Sequence, residues 1–384
     1  MEDEAHGGDA AGGPIATCAF VQFDEIFEFK AHTIHILAMC DAMSSVGVDT
    51  TLYMYPPSHA DVPDPAELRA SYGLENVPKI SWVPRDRSKW RSRLRVMTES
   101  SRASHGREYA YTTRGLAALG ALAGGARHVL LEIHQPVPAR HDRLAIELGR
   151  RSSRLHVICI SKRLAETIAA QCGIDESSII VEHSGHSFPI RYDYGPHSAD
   201  GRRVRALYAG TFLPGKGVET IFELARRHPG IDFVVVGGEA TAGQLSDNVT
   251  VQAPVPHAEI PGLLSQADIL LMPLTTNTRR DSPGTPDAGA QEEFYSPLKM
   301  IEYLSAGRSI VASNLPSIAE VLVNGSNSLL VDADSVDEWS EALSQLAFDP
   351  ELRARLSAGA AETAEHHTNV GRVRRILERV KEGS

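Results

Sequence analysis

Residues 294–307 read FYSPLKMIEYLSAG, and residues 309–313 continue with the apolar run SIVAS. Ser296 and Pro297 predict the start of a helix, because serine accepts hydrogen bonds from free backbone N–H groups and proline is tolerated in the first turn. Gly307 predicts its end, since glycine readily adopts the left-handed conformation that closes many helices. The stretch therefore predicts a helix followed by a buried strand.

The start of this predicted helix offers a place for an anion. Its first turn presents free N–H groups and a partial positive charge to whatever precedes it, which suits a phosphate. Lys299 and Glu302 are three residues apart and so lie on neighbouring parts of one helix face. A cation and a carboxylate beside such a helix end could hold a diphosphate and a ribose diol together.

A second glycine-containing turn lies upstream. Residues 204–209 are typical of a strand, residues 210–217 (GTFLPGKG) of a turn, and residues 218–227 of a helix. A strand, a turn and a helix start in this order form a second anion site, in which Lys216 would contact a diphosphate. The turn and the later helix together indicate a diphosphate site more specifically than either does alone.

These two segments resemble the donor-binding half of glycosyltransferase family 4, a group of GT-B enzymes. The resemblance runs from residue 206 to residue 331 and is weaker in the first half, and the Ser-Pro-Leu-Lys run at 296–299 is similar to that of one subgroup. It implies an α/β fold of two Rossmann-like doubly wound domains that face each other across a cleft. It also implies nucleotide-sugar donors and transfer with retention at the anomeric carbon.

Length and composition divide the chain in a way that fits this resemblance. A chain of 384 residues predicts two domains, because a single core rarely grows beyond roughly 250–300 residues. Residues 1–13 are acidic and rich in glycine and alanine, which predicts a disordered tail and no signal peptide. We expect residues 14–195 to form the acceptor-binding domain and residues 196–384 the donor-binding domain. Two positions are open for the last helix, at 370–380: it packs outside the second sheet, or it crosses back to the first domain as in the family that the chain resembles.

The resemblance assigns site residues in both halves. The strand at 128–133 ends at His134, where the family has a histidine that faces the transferred sugar; the alternative is an ordinary loop histidine. The expected catalytic residues are His134, Lys216, Lys299 and Glu302. The expected donor-binding residues are Gly210, Thr211, Gly215, Gly237, Val255, Ser296, Pro297 and Leu298.

Three positions depart from the family pattern. Thr211 stands where many relatives have arginine, Phe294 where they have the first of two glutamates, and His186 where an acidic residue is common. We expect Lys299 to supply the positive charge that is missing at Thr211.

The first half begins with a strand, a helix and a strand at 14–21, 32–46 and 49–55, as in a parallel sheet. The loop at 22–30 is aromatic and acidic, whereas many relatives have a glycine-rich turn there. Two interpretations are open. Either its phenylalanines pack the loop down with solvated charges between them, or the loop and the next helix contact the acceptor. The acceptor contacts would then come from Asp24, Glu25, Lys30 and His32.

Two further segments carry less specific patterns. Residues 56–95 contain prolines, charges and two tryptophans, which predicts connections around short elements, including a strand near 79–83. Residues 275–291 are rich in proline and glycine, which predicts either a lid over the donor or a surface insertion.

Composition excludes several classes of protein. The net charge of −11 argues against nucleic acid as a partner and gives no basic patch for anionic lipid. The four cysteines show no metal spacing, which predicts thiols in the reducing cytoplasm. No apolar run approaches the roughly 20 residues that a membrane helix needs.

We therefore expect a cytoplasmic, metal-independent glycosyltransferase of the hexosyltransferase class that uses no cofactor. The expected donor is a UDP-sugar rather than a GDP-sugar, and the expected acceptor is a small polar molecule; a homodimer is left open. Two alternatives remain at this stage. One is a nucleotide-sugar epimerase of similar architecture, and the other is a non-catalytic relative that binds a nucleotide sugar.

Overall fold

The computed structural model describes nine segments, which are residues 16–25, 31–57, 61–85, 88–136, 138–149, 151–191, 202–239, 245–275 and 297–383. Several predictions fall on residues outside these segments, namely the tail at 1–13, Lys30, the domain boundary at 195/196, the loop after 275, Phe294 and Ser296. The described segments form two α/β domains, each built on one parallel sheet.

The first domain contains a seven-stranded sheet with the order β3-β2-β1-β4-β5-β6-β7. Its strands are β1 (Thr17–Glu25), β2 (Asp49–Tyr55), β3 (Lys79–Trp82), β4 (Tyr109–Thr112), β5 (His128–Ile133), β6 (Leu155–Cys159) and β7 (Ile179–Val181). Its helices are α1 (Ala31–Ser45), α2 (Pro65–Tyr72), α3 (Lys89–Ser104), α4 (Gly115–Gly124), α5 (Arg140–Gly149) and α6 (Lys162–Cys172). Every residue of β5 is buried, as expected for a central strand covered by helices on both faces.

The second domain contains a six-stranded sheet with the order β10-β9-β8-β11-β12-β13. Its strands are β8 (Arg205–Ala209), β9 (Asp232–Val236), β10 (Val249–Gln252), β11 (Ile269–Met272), β12 (Ser309–Ser313) and β13 (Leu329–Val331). Its helices are α7 (Val218–Arg227), α8 (Ile260–Leu264), α9 (Leu298–Ser305), α10 (Val336–Phe348) and α11 (Pro350–Glu365). In both sheets the order turns back beside the first strand, and ligands of such sheets bind at the carboxyl ends of the strands near that point.

The last helix, α12 (Asn369–Glu382), packs on the first domain rather than on the second. Its buried residues Val373, Ile376 and Val380 belong to the same hydrophobic cluster as Phe20 and Leu37. Burial of these side chains is the main force that holds the helix there, because each contributes about 1.5–3 kcal/mol when fully removed from water.

The prediction of short connections over residues 56–95 was wrong at its end, because α3 starts at Lys89 and continues to Ser104. The helix packs on α4 through small residues. Ser100 is fully buried, and a Cβ at Gly120 or Gly124 would overlap the backbone of α3. Since serine and glycine form this contact, the sequence shows no apolar stripe of helical period.

Two histidines at the amino ends of β5 and β6 give the first domain a pH-dependent stability. His128 Nδ1 and His156 Nε2 lie 3.3 Å apart. Burial, and after it the charge of His128, lowers the pKa of His156 from 6.5 to about 4. Below pH 6.5 the unfolded chain binds a proton at His156, whereas the folded chain binds this proton only below about pH 4. The free energy of unfolding should therefore fall across this range, by about 1–2 kcal/mol because solvent screens the half-buried ring.

Urea unfolding measured between pH 7 and pH 4.5 checks this prediction. A His156→Gln variant should lose part of the pH dependence, whereas replacement of the exposed His105 by glutamine should leave it unchanged. An unaltered pH dependence in the His156 variant would contradict the assignment.

Candidate active site

A cleft of about 870 Å³ lies between the two domains, at the carboxyl ends of their strands. The sequence-predicted residues that line it are His32, His134, Gly210, Thr211, Lys216, Gly237, Val255, Pro297, Leu298, Lys299 and Glu302. Gly215 is buried, and its carbonyl accepts a hydrogen bond from the backbone of Thr275. The cleft therefore collects residues that are up to 270 positions apart in the chain.

Two lysines lie on the wall that the second domain contributes. Lys299 projects from the first turn of α9, and its Nζ lies 4.1 Å from the centre of the Tyr208 ring, within the range of a cation–π contact. A Cβ at Gly210 would approach that Nζ to 2.5 Å, so glycine leaves the space that the lysine needs. Lys216 lines the same cleft from the turn after β8. The two side chains make this wall positively charged.

The predicted helix at 297–306 is present as α9, and its start opens on the cleft. Pro297 occupies the N-cap position and has no side-chain group that could cap the helix. The Met300 N–H donates to the Pro297 carbonyl oxygen at 3.0 Å, and the positive end of the helix dipole faces the cleft next to Lys299. This arrangement suits an anion such as a phosphate.

Glycines fix the turns that carry these lysines. Gly237 has φ +119°, and a Cβ there would overlap the carbonyl oxygen of Gly210. Gly237, an expected donor-binding residue, lines the cleft, and close packing of two turns is the reason that this position requires glycine. Gly217 has φ +68° at the N-cap of α7, and a Cβ there would overlap the carbonyl oxygen of Pro273.

A Gly217→Ala variant should be destabilised by about 2–4 kcal/mol, because backbone strain and overlap with Pro273 add. Gly173 is a matched control, since it has φ +63° and a Cβ there would meet nothing within 4 Å. Gly173→Ala should cost only the strain, about 1 kcal/mol. Thermal unfolding of both variants measures the difference, and equal losses would show that the overlap is relieved at no cost.

Glu302 is held by a histidine that the sequence analysis did not assign to the site. His257 Nε2 lies 2.7 Å from Glu302 Oε1, and both side chains are largely buried. His257 also lies against the first domain, with its Nδ1 3.5 Å from the carbonyl oxygen of Tyr72 and its ring centre 4.8 Å from that of Phe188, the two planes tilted by 35°. The predicted ribose-binding carboxylate is therefore oriented by a contact that reaches both domains.

His134 lies on the opposite wall, directly after β5, and belongs to a buried cluster. Its Nε2 is 2.8 Å from Glu132 Oε1, and His35 Nε2 is 3.0 Å from the same oxygen. Arg372 of α12 places its Nη2 at 3.2 Å from that oxygen, and the Tyr111 hydroxyl donates to Glu132 Oε2. The two histidine contacts are close but are not aligned as hydrogen bonds.

Charge in this cluster is balanced by one buried ion pair. Burial alone would raise the pKa of Glu132, but Arg372 and the two histidines outweigh it and hold that pKa well below its usual range. Burial lowers the pKa of His35, against the pull of Glu132, so the ring stays neutral at pH 7. Glu132 is therefore an anion beside His134, and Arg372 is its countercharge.

The same cluster contains a group of potential metal ligands. One ligand atom each from His35, Glu132 and His134 lies within 4.8 Å of the others. The Arg372 guanidinium contacts the same carboxylate oxygen, however, and its positive charge opposes a second cation at this point. The cluster therefore does not suit a metal centre. It suits a carboxylate whose charge is compensated by Arg372 and which positions His134.

The predicted acceptor residues are only partly described. His32 lines the cleft, its Nε2 lies 2.7 Å from the Gln22 side-chain nitrogen, and its ring centre lies 6.3 Å from that of His134. Asp24 and Glu25 belong to β1, and nothing further of their side chains is described; Lys30 lies outside the described residues. His32 is the one of the four whose side chain is described, and it lies beside His134.

Two further residues, Glu320 and His186, have structural roles between the domains. Glu320 accepts hydrogen bonds from the backbone N–H groups of Lys162 and Arg163 at the start of α6, at 2.7 and 2.9 Å. His186 is buried, and its Nε2 lies 3.1 Å from the carbonyl oxygen of Ala364. Both residues join the first domain to the segment that follows β12.

One family model covers most of the second half of the chain. The family model described as "Glycosyl transferases group 1" matches residues 195–363. The chain is 27% identical over 185 residues to the alpha-D-kanosaminyltransferase of Streptomyces kanamyceticus, which covers 45% of this chain and 42% of that protein. It is 26% identical over 175 residues to a GDP-mannose-dependent alpha-(1-6)-phosphatidylinositol monomannoside mannosyltransferase of Mycobacterium tuberculosis, covering 42% and 43%. The chain thus spans less than half the length of these two relatives.

Solved structures resemble nearly the whole chain. The complex of Anabaena HepE with UDP-glucose superposes with a TM-score of 0.67 at 14% identity, covering 95% of this chain and 99% of that one. A glycosyltransferase from Rickettsia africae gives a TM-score of 0.70 at 12% identity, covering 97% and 99%. Identities this low show likeness of fold alone. The chain therefore has the predicted GT-B fold, and residues 195–363 within it are similar to the glycosyl transferases group 1 family.

Proposed function

We propose that this protein is a glycosyltransferase that moves a sugar from a nucleoside diphosphate sugar to a small polar acceptor. The observation that carries the proposal is the single cleft, to which the second domain contributes Lys216, Lys299 and Glu302 and the first domain contributes His134. The group 1 glycosyltransferase domain at 195–363 and a structural neighbour solved with UDP-glucose support a nucleotide-sugar donor.

In the proposed reaction, the bond between the anomeric carbon and the diphosphate oxygen breaks. The acceptor oxygen or nitrogen bonds to the same face of that carbon, which retains its configuration, and the acceptor proton passes to the leaving diphosphate oxygen. Lys216, Lys299 and the N–H groups at the start of α9 would stabilise the diphosphate charge. Glu302 would accept hydrogen bonds from the ribose hydroxyls, and His134 would face the sugar. Retention is supported by the resemblance to glycosyltransferase family 4.

We infer that the reaction needs no metal ion, because two lysines and a helix start already supply positive charge where the diphosphate would lie. We also infer a UDP-sugar, supported by the UDP-glucose complex of HepE. The four free cysteines, of which Cys18, Cys40 and Cys159 are buried, support a reducing compartment such as the cytoplasm. Among the described residues, no helix combines the length and apolar character needed to cross a bilayer.

Mass spectrometry of the protein incubated with UDP-, GDP- and dTDP-sugars and small polar acceptors tests the proposal. Release of nucleoside diphosphate should depend on one donor, increase with an acceptor and continue in excess EDTA. It should collapse in Lys216→Ala and Glu302→Ala, whereas the exposed Glu341→Ala should behave as the unmodified protein. A donor that binds without release would overturn transfer in favour of a binding protein, and an isomerised sugar would overturn it in favour of an epimerase.

A further inference from the structure

The net charge of −11 conceals a local excess of positive charge on the first domain. Residues 85–95 read RDRSKWRSRLR and contain six of the 38 lysines and arginines of the chain against one aspartate. The structure starts α3 within this run, at Lys89. A short basic segment is therefore presented as the beginning of a helix.

Two large apolar side chains are exposed on this helix start. Trp90 and Leu94 are 64% and 53% exposed. They are four residues apart and so share one helix face. Single exposed apolar residues are common, but a tryptophan and a leucine together on a basic helix form the pattern of a helix that lies in a membrane interface.

Two arginines beside this apolar pair are positioned to contact an anionic surface. Arg91 and Arg93 flank the face of Trp90 and Leu94 on its two sides, both are exposed, and neither forms an ion pair with a described carboxylate. The guanidinium carbon of Arg91 lies 5.6 Å from the centre of the Trp90 ring. Further along α3, by contrast, Arg102 is paired with Glu99 at 3.0 Å. The unpaired positive charge is thus concentrated where the apolar side chains are exposed.

The helix start lies at the edge of the first sheet where the cleft opens. The Ser92 hydroxyl is 3.3 Å from that of Tyr55, the last residue of β2. Because β2 and β5 belong to one parallel sheet, Tyr55 lies at the same edge as His134, which follows β5 and lines the cleft. A surface bound by α3 would therefore lie on the cleft side of the first domain.

We propose that residues 89–95 dock the protein on an anionic membrane surface. Trp90 and Leu94 enter the interface between headgroups and acyl chains, and Arg91 and Arg93 contact lipid phosphates. Tryptophan suits this position because it combines a large apolar ring with one N–H donor. Each arginine near an anionic leaflet strengthens binding roughly five-fold. A nucleic acid would match the charge but would leave Leu94 without an apolar partner.

Co-sedimentation of the full chain with vesicles tests the proposal. At about 0.1 M salt, where surface charges are still felt over roughly 10 Å, binding is expected to vesicles with one third phosphatidylglycerol and not to pure phosphatidylcholine. Two double variants, Trp90→Ser/Leu94→Ser and Arg91→Glu/Arg93→Glu, should each weaken binding at least ten-fold. Leu144→Ser/Leu148→Ser is the matched control, since these leucines are 49% and 48% exposed and also four apart, on α5 of the same domain. This control should bind as the unmodified protein does.

Tryptophan fluorescence gives a second measurement. Anionic vesicles should shift the emission to shorter wavelength, and a Trp90→Phe variant should lose the shift while it still binds, because Trp339 is fully buried and Trp82 packs partly buried against the core of the first domain. Equal binding to neutral and anionic vesicles, equal loss in the α5 control, or binding to an oligonucleotide but not to vesicles would each overturn the proposal. Vesicle binding needs neither donor nor acceptor, so this result is independent of sugar transfer.

Discussion

Replacing Lys299 with alanine is expected to lower kcat/KM of the proposed transfer by about 100- to 1000-fold. The Lys299 ammonium is held against the Tyr208 ring at the start of α9, so its charge is fixed before a donor binds. Removing one such preorganised donor costs about 3–4 kcal/mol of transition-state stabilisation. The position of the Lys299 amine is also fixed sterically, because a Cβ at residue 210 would approach its Nζ to 2.5 Å and only glycine leaves that space.

Steady-state kinetics with the donor identified by mass spectrometry measure this effect. Lys79→Ala is the control, since that lysine is 72% exposed and forms a surface ion pair with Asp49; its kcat/KM should stay within two-fold of the unmodified value. A Lys299→Ala enzyme that retained more than a fifth of the original kcat/KM would show that Lys299 does not stabilise the diphosphate.

Replacing Arg372 with methionine is expected to reduce the free energy of unfolding by about 3–5 kcal/mol. Arg372 and Glu132 are both fully buried, so the variant leaves the carboxylate of Glu132 without its countercharge. The Arg372 side chain also donates to the carbonyl oxygen of His183 at 2.8 Å, and the variant loses this hydrogen bond. Urea unfolding followed by circular dichroism measures the loss.

Two comparisons separate the buried charge from simple loss of packing. The double variant Glu132→Gln/Arg372→Met should recover part of the stability, because no uncompensated charge remains; the His183 carbonyl stays unsatisfied. Arg375→Met on the same helix breaks an ion pair with Glu182 at 2.8 Å, but Arg375 is 41% exposed and the loss should stay near 1 kcal/mol. Equal losses at Arg372 and Arg375 would show that burial of the pair is not what matters.

Much of the fold was predictable because its signals are local in the sequence. Helix α7 has the predicted bounds, and α9 starts and ends within two residues of them. Buried strands such as β11 are continuous apolar runs, and the α/β GT-B fold predicted from them and from the family resemblance is confirmed. Helix α3 was missed because it packs through serine against glycine, which leaves no apolar periodicity.

The candidate site was predictable only in part. Lys216, Lys299 and Glu302 stand in short motifs, so their types and spacing indicated a diphosphate site, and the structure places all three at the cleft. The contact of Glu302 with His257 joins residues that are 45 positions apart, and no sequence motif indicated this contact. The histidine followed a strand in a proline-rich segment, which was the one sequence signal that could have drawn attention to it. The roles of all these residues in transfer stay predictions.

The sequence by itself determined most of the helices and strands other than α3, the turns that need glycine, and the short motifs that carry charge toward a phosphate. These properties depend on backbone preferences and side-chain periodicity within some 20 residues. The tertiary structure alone decided that α12 returns to the first domain and sets Arg372 beside Glu132, 240 positions away. It also decided that Trp90 and Leu94 remain exposed beside unpaired arginines. Burial and charge pairing depend on which distant segments meet, and local sequence does not contain that information.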